Sequence, residues 1–157
     1  MHCKIKKLKE IKQIAEKLRR KKRKIVFTNG CFDILHYGHI KYLEKCKRLG
    51  DVLIIGLNSN LSIKKIKGKG RPIMGQKERA SILSALEFVD YITLFDEKTP
   101  ETLIKEITPG ILAKGGDWRK IDIVGRSHVE RHGGRVVTIP FVKGYSTTSI
   151  LARIKNA

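Results

Sequence analysis

Two histidines in one short segment are the strongest candidates for chemistry in this 157-residue chain. His36 and His39 stand three residues apart, and Gly38 immediately precedes the second. The first turn of a helix has unpaired N–H groups and the positive end of the helix dipole, which together suit a phosphate group. Gly38 lets the backbone approach a ligand, and two imidazoles can donate hydrogen bonds to charge that develops on phosphorus. The pattern therefore predicts a phosphate site between a strand and a helix.

Two other interpretations of these residues are weaker. His36, His39 and Cys31 could bind zinc, but a fourth ligand and the usual paired spacing are missing. Either histidine alone could be a structural residue with satisfied hydrogen bonds. The flanking sequence favours the phosphate site, because the apolar run 25–28 predicts a buried strand that enters a tight loop at 29–30.

Hydrophobic periodicity predicts the elements that position this loop. Short apolar runs predict five strands, at 25–28, 52–57, 91–95, 111–113 and 136–139. Apolar intervals of three and four predict helices at 4–22, 39–49, 76–87 and 146–154, and a helix with Thr99 as N-cap and Pro100 at its first position. Strands that alternate with helices indicate a parallel sheet covered on both faces. We predict an α/β fold with a doubly wound five-stranded parallel sheet over residues 24–157, preceded by an amphipathic basic helix over residues 1–23.

One long segment shows neither the apolar run of a buried strand nor the apolar period of a helix. Residues 58–75 are rich in lysine and glycine, and a stretch of this length without apolar periodicity is expected to be mobile or functional. The first helix is expected to pack on the domain or on a second subunit.

Composition limits the class of protein. The formal charge of +19 attracts anions, which include nucleic acids, nucleoside triphosphates and sugar phosphates. Zinc-finger spacing and aromatic RNA-binding stretches are missing, so a solvated basic face and small phosphorylated ligands are favoured over nucleic acid. Three cysteines without paired spacing indicate a reducing cytoplasm. No apolar run has the length of a membrane helix, so no membrane partner is expected.

The loop and a second motif resemble a known superfamily. Residues 30–39, Gly-Cys-Phe-Asp-Ile-Leu-His-Tyr-Gly-His, are similar to the HxGH signature of the cytidylyltransferase-like nucleotidyltransferases. Residues 144–150, Gly-Tyr-Ser-Thr-Thr-Ser-Ile, are similar to a second signature, in which serine and threonine cap a helix that holds phosphates. The two motifs stand about a hundred residues apart, and together they are far more specific than either alone. The resemblance implies a nucleotidyltransferase with a Rossmann-like fold.

The resemblance also implies residue roles. It implies catalytic roles for His36, His39 and Lys67. It implies a nucleotide-binding set of Thr28, Asn29, Gly30, Phe32, Gly38, Arg79, Gly115, Asp117, Trp118, Ser146, Thr147, Thr148 and Ser149. Trp118 could instead be a loop residue that covers the core. Acceptor contacts are implied for Asp33, Arg71 and Phe141, although Asp33 could equally cap the His36 turn. No protein ligand to a metal is implied, and Mg²⁺ would bridge phosphate oxygens.

Smaller motifs narrow the resemblance. Five short stretches together are similar to the nucleotidyltransferase domain of bacterial ADP-heptose synthases, namely residues 29–33, 71–73, 114–117, 123–125 and 133–134. This family implies ATP and a heptose 1-phosphate as substrates, lipopolysaccharide synthesis, and a sugar kinase that here would be a separate protein. Phe141 occupies a position where the sister glycerol-3-phosphate cytidylyltransferases have arginine, which argues against that alternative. CTP is not excluded, a basic nucleic-acid-binding module is the alternative of another class, and the first helix favours a homodimer.

Overall fold

The computed structural model describes residues 2–116, 119 and 122–156. Within them, strands form at β1 (Ile25–Gly30), β2 (Val52–Asn58), β3 (Tyr91–Phe95), β4 (Ile111–Gly115) and β5 (Arg135–Ile139). Helices form at α1 (Leu8–Arg20), α2 (Tyr37–Arg48), α3 (Asn60–Lys67), α4 (Gln76–Ser84), α5 (Glu101–Ile107), α6 (Arg126–Arg131) and α7 (Thr147–Lys155). All strand pairs are parallel, in the order β3-β2-β1-β4-β5. The predicted five-stranded parallel sheet is confirmed.

The central strands are apolar because both of their faces are covered. All seven residues of β2 are buried, and β1 is buried over its first four residues. Val26 pairs with Leu53 on one side and with Ile111 on the other, which fixes the register of three strands. Parallel sheets bury both faces under crossover helices, and their strands therefore lack an alternating polar pattern.

The helix α1 belongs to the core of the same domain. Its Ile11 and Ala15 are fully buried in one apolar cluster with Phe27 of β1 and Ile104 of α5. A second cluster, on the other face of the sheet, includes Leu43 of α2. The apolar face of α1 is therefore covered by its own chain. This face no longer supports the predicted homodimer.

The structure corrects three local predictions. The segment 58–75 is not one loop, because α3 forms within it with Ser59 as N-cap; the side chain of Ser59 accepts a hydrogen bond from the N–H of Ser62. The helix α5 begins one residue later than predicted, with Pro100 rather than Thr99 as its N-cap. The short helix α6 was not predicted, because six residues are too few for a clear period.

The sheet order locates the place where a ligand can bind. The chain passes from β1 to β2 and β3 on one side, then returns to place β4 and β5 on the other side. In open α/β sheets, ligands bind beyond the carboxyl ends of the strands where this reversal occurs. That point lies between β1 and β4, and β1 leads directly into the segment with His36 and His39.

Candidate active site

A cavity of about 630 Å³ opens at the carboxyl ends of β1 and β4. Thirteen of the residues predicted from the sequence line it, namely Asn29, Gly30, Phe32, His36, Gly38, His39, Lys67, Gly115, Phe141, Ser146, Thr147, Thr148 and Ser149. A further seven residues complete the wall, namely Cys31, Tyr42, Lys114, Val142, Lys143, Gly144 and Tyr145. The structure thus brings together motifs that are more than a hundred residues apart in the sequence.

The two histidines form one stacked unit at the start of α2. Their ring centroids are 3.8 Å apart, with an angle of 22° between the planes. His36 is the N-cap of α2, and its Nδ1 accepts a long 3.4 Å hydrogen bond from the backbone N–H of His39. In a neutral imidazole whose Nδ1 accepts, Nε2 carries the proton. His36 can therefore donate a hydrogen bond from Nε2 to a ligand.

Burial keeps both imidazoles neutral at physiological pH. It lowers the pKa of His36, and it lowers the pKa of His39 to about 4, with a smaller contribution from the neighbouring His36 charge. Phe32 packs edge-on against His39, with ring centroids 5.2 Å apart. Because both rings are neutral at pH 7, they act on a ligand as hydrogen-bond donors rather than as cations.

Gly38 is needed for this packing. A Cβ atom at position 38 would lie 3.0 Å from Cε1 of His36 and 3.2 Å from Cβ of Tyr145. A side chain there would displace the imidazole or separate the His36 turn from the segment that precedes α7. Glycine therefore lets the two sequence motifs close on each other.

The start of α7 is capped as the sequence predicts. The N–H of Ser149 donates to Oγ of Ser146 at 3.0 Å, and the N–H of Ser146 donates to Oγ of Ser149 at 3.1 Å. This reciprocal capping fixes the end of the helix and uses both serine side chains. The hydroxyls of Thr147 and Thr148 lie on the cavity wall and are in position to bind phosphate oxygens.

A lysine without an assigned role lies at the reversal point of the sheet. Lys114, on β4, donates from Nζ to Oδ1 of Asn29 on β1 at 2.6 Å. Burial lowers the pKa of Lys114 to about 8, and no carboxylate of the described residues forms an ion pair with it. The nearby Cys31 supplies no counter-charge, because burial raises the pKa of its thiol. Lys114 therefore favours an anion in the cavity.

Phe141 covers the loop that follows β4. A Cβ atom at Gly116 would lie 2.5 Å from the ring of Phe141, and one at Gly115 would lie 2.8 Å from it. Gly116 also has a φ of +93°, which side chains rarely adopt. Phe141 as a residue is still 70% exposed, so it offers an apolar wall to the cavity that it lines.

Asp33 orders the site from beneath and does not line the cavity. Only 4% exposed, it accepts hydrogen bonds from the N–H groups of Ile73 and Met74 at 2.9 Å and from Arg71 at 3.1 Å. Burial alone would raise the pKa of Asp33, but these three donors outweigh it and the pKa lies below its usual value. Arg71 is likewise held by Asp33, and the structure brings neither residue to the cavity wall.

The structure does not bring Arg79 to the cavity, in contrast to its predicted role on phosphate oxygens. The side chain is 1% exposed and donates to the carbonyl oxygens of Cys31, Asn58 and Met74 and to Oδ1 of Asn60. A guanidinium has five N–H donors in a planar fork, and four hydrogen bonds use nearly all of them. Arg79 thus ties three loops together below the site.

Thr28 is also buried, and it contacts the site only through a neighbour. Its hydroxyl lies 2.7 Å from the hydroxyl of Tyr42, which lines the cavity. Asp117 and Trp118 were predicted to line the base and ribose, and they lie outside the described residues.

The sequence analysis missed several residues of the cavity wall. Lys114 belongs to a recognised motif, and its place at the end of a strand beside β1 was a usable signal. Lys143 and Tyr145 immediately precede the capping serine of α7, where a cation and an aromatic ring next to a phosphate-binding helix are informative. No local pattern indicates that Tyr42, in the middle of α2, reaches the cavity.

A sequence model of one family matches most of the chain. The match is to the family described as cytidylyltransferase-like and covers residues 27–153, from β1 into α7. The chain belongs to the cytidylyltransferase-like family. Its enzyme class is therefore nucleotidyltransferase, in agreement with the prediction from the two motifs.

Curated members of this family match at high identity over part of their length. The bifunctional protein HldE of Pelobacter propionicus is 54% identical over 140 residues, which cover 89% of this chain and 28% of HldE. The HldE of Geobacter metallireducens is 50% identical over 155 residues, which cover 99% of this chain and 32% of that protein. The chain thus spans about 30% of the length of these relatives.

Solved structures support the same family and fold. The lipopolysaccharide core biosynthesis protein of Thermoplasma volcanium superposes with a TM-score of 0.63 at 31% identity, covering 79% of this chain and 99% of that one. The pantoate–β-alanine ligase of Francisella tularensis, at 17% identity and a TM-score of 0.63, covers 96% of this chain and 76% of its own and shows the fold alone. Among the described residues, no helix combines the length and apolarity that crossing a membrane requires.

Proposed function

We propose that this family member transfers the adenylyl group of ATP to D-glycero-β-D-manno-heptose 1-phosphate. The products are ADP-heptose and pyrophosphate. The 50–54% identity to HldE proteins across most of the chain is the observation that carries this proposal. The similarity to a lipopolysaccharide core biosynthesis protein supports the same pathway.

The acceptor itself supplies the nucleophile. A phosphate oxygen of the sugar phosphate attacks the α-phosphorus of ATP, a new P–O bond forms, and the bond to the β-phosphate oxygen breaks. The attacking oxygen is already an anion at pH 7, so no protein base is required. The cavity fits this scheme, because its lining offers cations, amides, imidazoles and hydroxyls. Catalysis then depends on positioning and on stabilisation of charge.

The described residues divide this work. His36 and His39, as neutral donors, stabilise the α-phosphate as negative charge builds on its oxygens. The N-terminus of α7, with Thr147 and Thr148, holds the leaving pyrophosphate. Lys67, the last residue of α3, also lines the cavity and neutralises the α- or β-phosphate.

Lys114 serves the reacting phosphates as a positioned charge. It lies half-buried on the cavity wall between β1 and β4, and its hydrogen bond to Asn29 orients it. A phosphate bound there would act as the missing counter-ion and stabilise the protonated form of the amine.

Enzymes of this class use a divalent cation with their nucleotide substrate. We propose Mg²⁺, which binds phosphate oxygens and retains several waters. Among the described residues, no cluster of three or more His, Cys, Asp or Glu side chains could hold a metal. An ion carried by the triphosphate would offset part of the negative charge that Lys67 and Lys114 also face in the cavity.

The acceptor preference rests on Phe141. A heptose has several hydroxyls and an apolar ring face, and the exposed ring of Phe141 suits that face better than it suits glycerol 3-phosphate. A pocket that reads hydroxyls rejects analogues lacking them by orders of magnitude, because its polar groups would stay unpaired. We expect heptose 1-phosphate to be strongly preferred over glycerol 3-phosphate, and ATP over CTP less steeply.

A substrate matrix tests the proposal. Pyrophosphate release is measured with ATP, CTP, GTP and UTP against heptose 1-phosphate, glycerol 3-phosphate and hexose 1-phosphates. Turnover of ATP with heptose 1-phosphate alone would support it. Efficient turnover of CTP with glycerol 3-phosphate, and none with the heptose, would assign the cytidylyltransferase alternative and leave the reaction class intact.

Three further points stay predictions, namely homodimer formation, a sugar kinase on a separate chain and a cytoplasmic location. Light scattering tests homodimer formation.

A further inference from the structure

The edge of the sheet opposite the cavity carries its own group of cations, which we call the basic edge. These side chains are all exposed, and they come from the turn after α1, the end of α2 and the start of β5. The basic edge consists of Lys21, Lys22, Lys24, Lys45, Arg48 and Arg135. It lies at the amino ends of the strands, whereas the cavity lies at their carboxyl ends.

Backbone contacts join these residues into one surface. The N–H of Asp51 donates to the carbonyl of Lys24 at 2.9 Å, which connects the turn after α2 to the turn after α1. The N–H of Arg135 donates to the carbonyl of Gly110 at 3.0 Å, and a Cβ at Gly110 would contact the stem of Lys24 at 3.8 Å. The basic edge therefore extends from β2 across β1 and β4 to β5, about 14 Å at 4.8 Å per strand.

The charges of the basic edge are not balanced locally. Among the described residues, none of its six side chains forms an ion pair, and the nearby Asp51 pairs with Arg23 instead. Cations in the last turn of a helix stabilise it through the helix dipole, which accounts for Lys45 and Arg48 on α2. The same effect acts on Lys21, the C-cap of α1, and on Lys22 beside it. It does not account for Lys24, which precedes β1, or for Arg135, which begins β5.

The basic edge is too far from the cavity to act on the substrates. The five residues of β4 separate the two ends of the sheet by about 16 Å, at 3.3 Å per residue. The Debye length is about 8 Å at physiological ionic strength, so exposed charges at this distance are largely screened from a nucleotide. The substrates in the cavity therefore do not account for these cations, and their spread across four strands suits an extended anionic surface better than a small ligand.

We propose that the basic edge adsorbs reversibly to a membrane surface that contains anionic phospholipids. The six residues include no aromatic side chain on which a base of a single strand could stack, and a duplex, which needs none, is an outcome of the test below. The apolar face of α1 is buried in the core, so attachment is electrostatic, without insertion of a helix. The docked enzyme directs its cavity away from the surface, where it stays open to its substrates.

The choice of a lipid surface rests on the proposed function. The proposed product is an activated sugar, and a similar solved structure is that of a lipopolysaccharide core biosynthesis protein. The class of reaction that would consume this product is therefore glycosyl transfer to a lipid-anchored acceptor. Adsorption would release the product next to that acceptor. The proposal departs from the sequence-based expectation that the chain has no membrane partner.

Co-sedimentation with vesicles tests the proposal on the whole chain. Vesicles of 70% phosphatidylethanolamine and 30% phosphatidylglycerol are compared with pure phosphatidylcholine at 50, 150 and 500 mM NaCl. We expect binding to the anionic vesicles alone, and less of it as salt rises. Each basic residue near an anionic surface contributes about fivefold to binding, so the triple variant Lys21→Glu, Lys22→Glu and Arg48→Glu is expected to bind at least about a hundredfold more weakly.

A matched variant separates the basic edge from the overall charge. Lys77→Glu, Lys98→Glu and Lys155→Glu change the net charge equally at exposed positions elsewhere, and this variant should bind vesicles about as well as the unmodified chain, with any small loss attributable to net charge. Equal loss in both variants, or no binding by the unmodified chain at 150 mM NaCl, would overturn the proposal. Tighter binding to a duplex DNA of 20 base pairs than to the vesicles would assign the surface to nucleic acid instead.

Turnover of the same samples keeps the two proposals apart. Pyrophosphate release from soluble substrates should be unchanged in the basic-edge variant, since no residue of the cavity is altered. Vesicle binding by a chain that fails to use heptose 1-phosphate would contradict the proposed function alone. Full turnover without vesicle binding would contradict the membrane proposal alone.

Discussion

Charged side chains of the cavity wall make few hydrogen bonds within the protein, whereas those of the neighbouring network around Asp33 and Arg79 make many. Asp33 and Arg79 do not line the cavity. Asp33 accepts hydrogen bonds from three donor groups of its own chain, and Arg79 donates four. Lys114 on the wall donates one bond, to Asn29. A charged side chain whose hydrogen-bonding groups are all used within the protein holds loops in place. A charged side chain with unused donors can bind a ligand.

The pKa values of the two regions reflect this difference. Burial would raise the pKa of Asp33, but three donors bring it below its usual value, so the carboxylate keeps its charge at neutral pH. Burial lowers the pKa of Lys114 to about 8, since no ion pair with a described carboxylate opposes it. The charge of Asp33 is therefore stabilised by its own chain, whereas the charge of Lys114 is balanced when an anionic substrate binds.

Removal of Arg79 should have the largest effect, and on stability. Arg79→Met leaves one buried and two partly buried carbonyl groups without this donor, so we expect the free energy of unfolding to fall by about 3 kcal/mol or more. Urea denaturation followed by circular dichroism measures it. The exposed Lys77 on the same helix supplies the control, and Lys77→Met should change stability by less than about 0.5 kcal/mol. A stable Arg79→Met protein with a raised KM for ATP would restore the predicted phosphate contact.

Removal of His39 should have the next largest effect, and on turnover. His39→Ala loses a donor to the transition state, and kcat is expected to fall by about a hundredfold or more with the fold intact. Steady-state pyrophosphate release and circular dichroism measure the two properties. His132→Ala, at an exposed position after α6, is the control and should keep full activity. Near-native turnover of a folded His39→Ala enzyme would exclude the catalytic role.

The charge of Lys114 should appear in the pH dependence. The amine is protonated well below pH 8 and loses its charge as pH rises through about 8, so kcat/KM is expected to decline on the alkaline side. Lys114→Met should lower kcat/KM about tenfold at pH 7 and remove that decline. An alkaline decline that persists unchanged in the variant would mean that another group titrates.

The smallest effect is expected at the mouth of the cavity. Phe141 is mostly exposed, so Phe141→Ala should leave stability within about 0.5 kcal/mol. The KM for heptose 1-phosphate should rise by a few-fold while the KM for ATP stays constant, because the ring is proposed to contact the acceptor alone. A rise in the KM for ATP would reassign Phe141 to the nucleobase.

Local patterns were enough to predict the fold and the two signature motifs. The apolar runs of β1 and β2 are unbroken because both sheet faces are covered, and the capping serine of α7 is readable because its partner is three residues away. Periodicity failed at α3 and α6, each of which has eight residues or fewer. Asp117 and Trp118 stay predictions.

The sequence by itself determined which residue types reach the carboxyl end of the sheet, because an HxGH segment after a buried strand fixes a strand–loop–helix unit. Only the tertiary structure decided which charges face the cavity. Lys114 meets Asn29 across 85 residues because β4 lies beside β1, and Arg79 turns inward because three loops converge on it. The hydrogen-bond partners of a side chain depend on tertiary contacts, which the sequence does not state. The number of those partners distinguishes the residues that support the site from the residues that can bind a ligand.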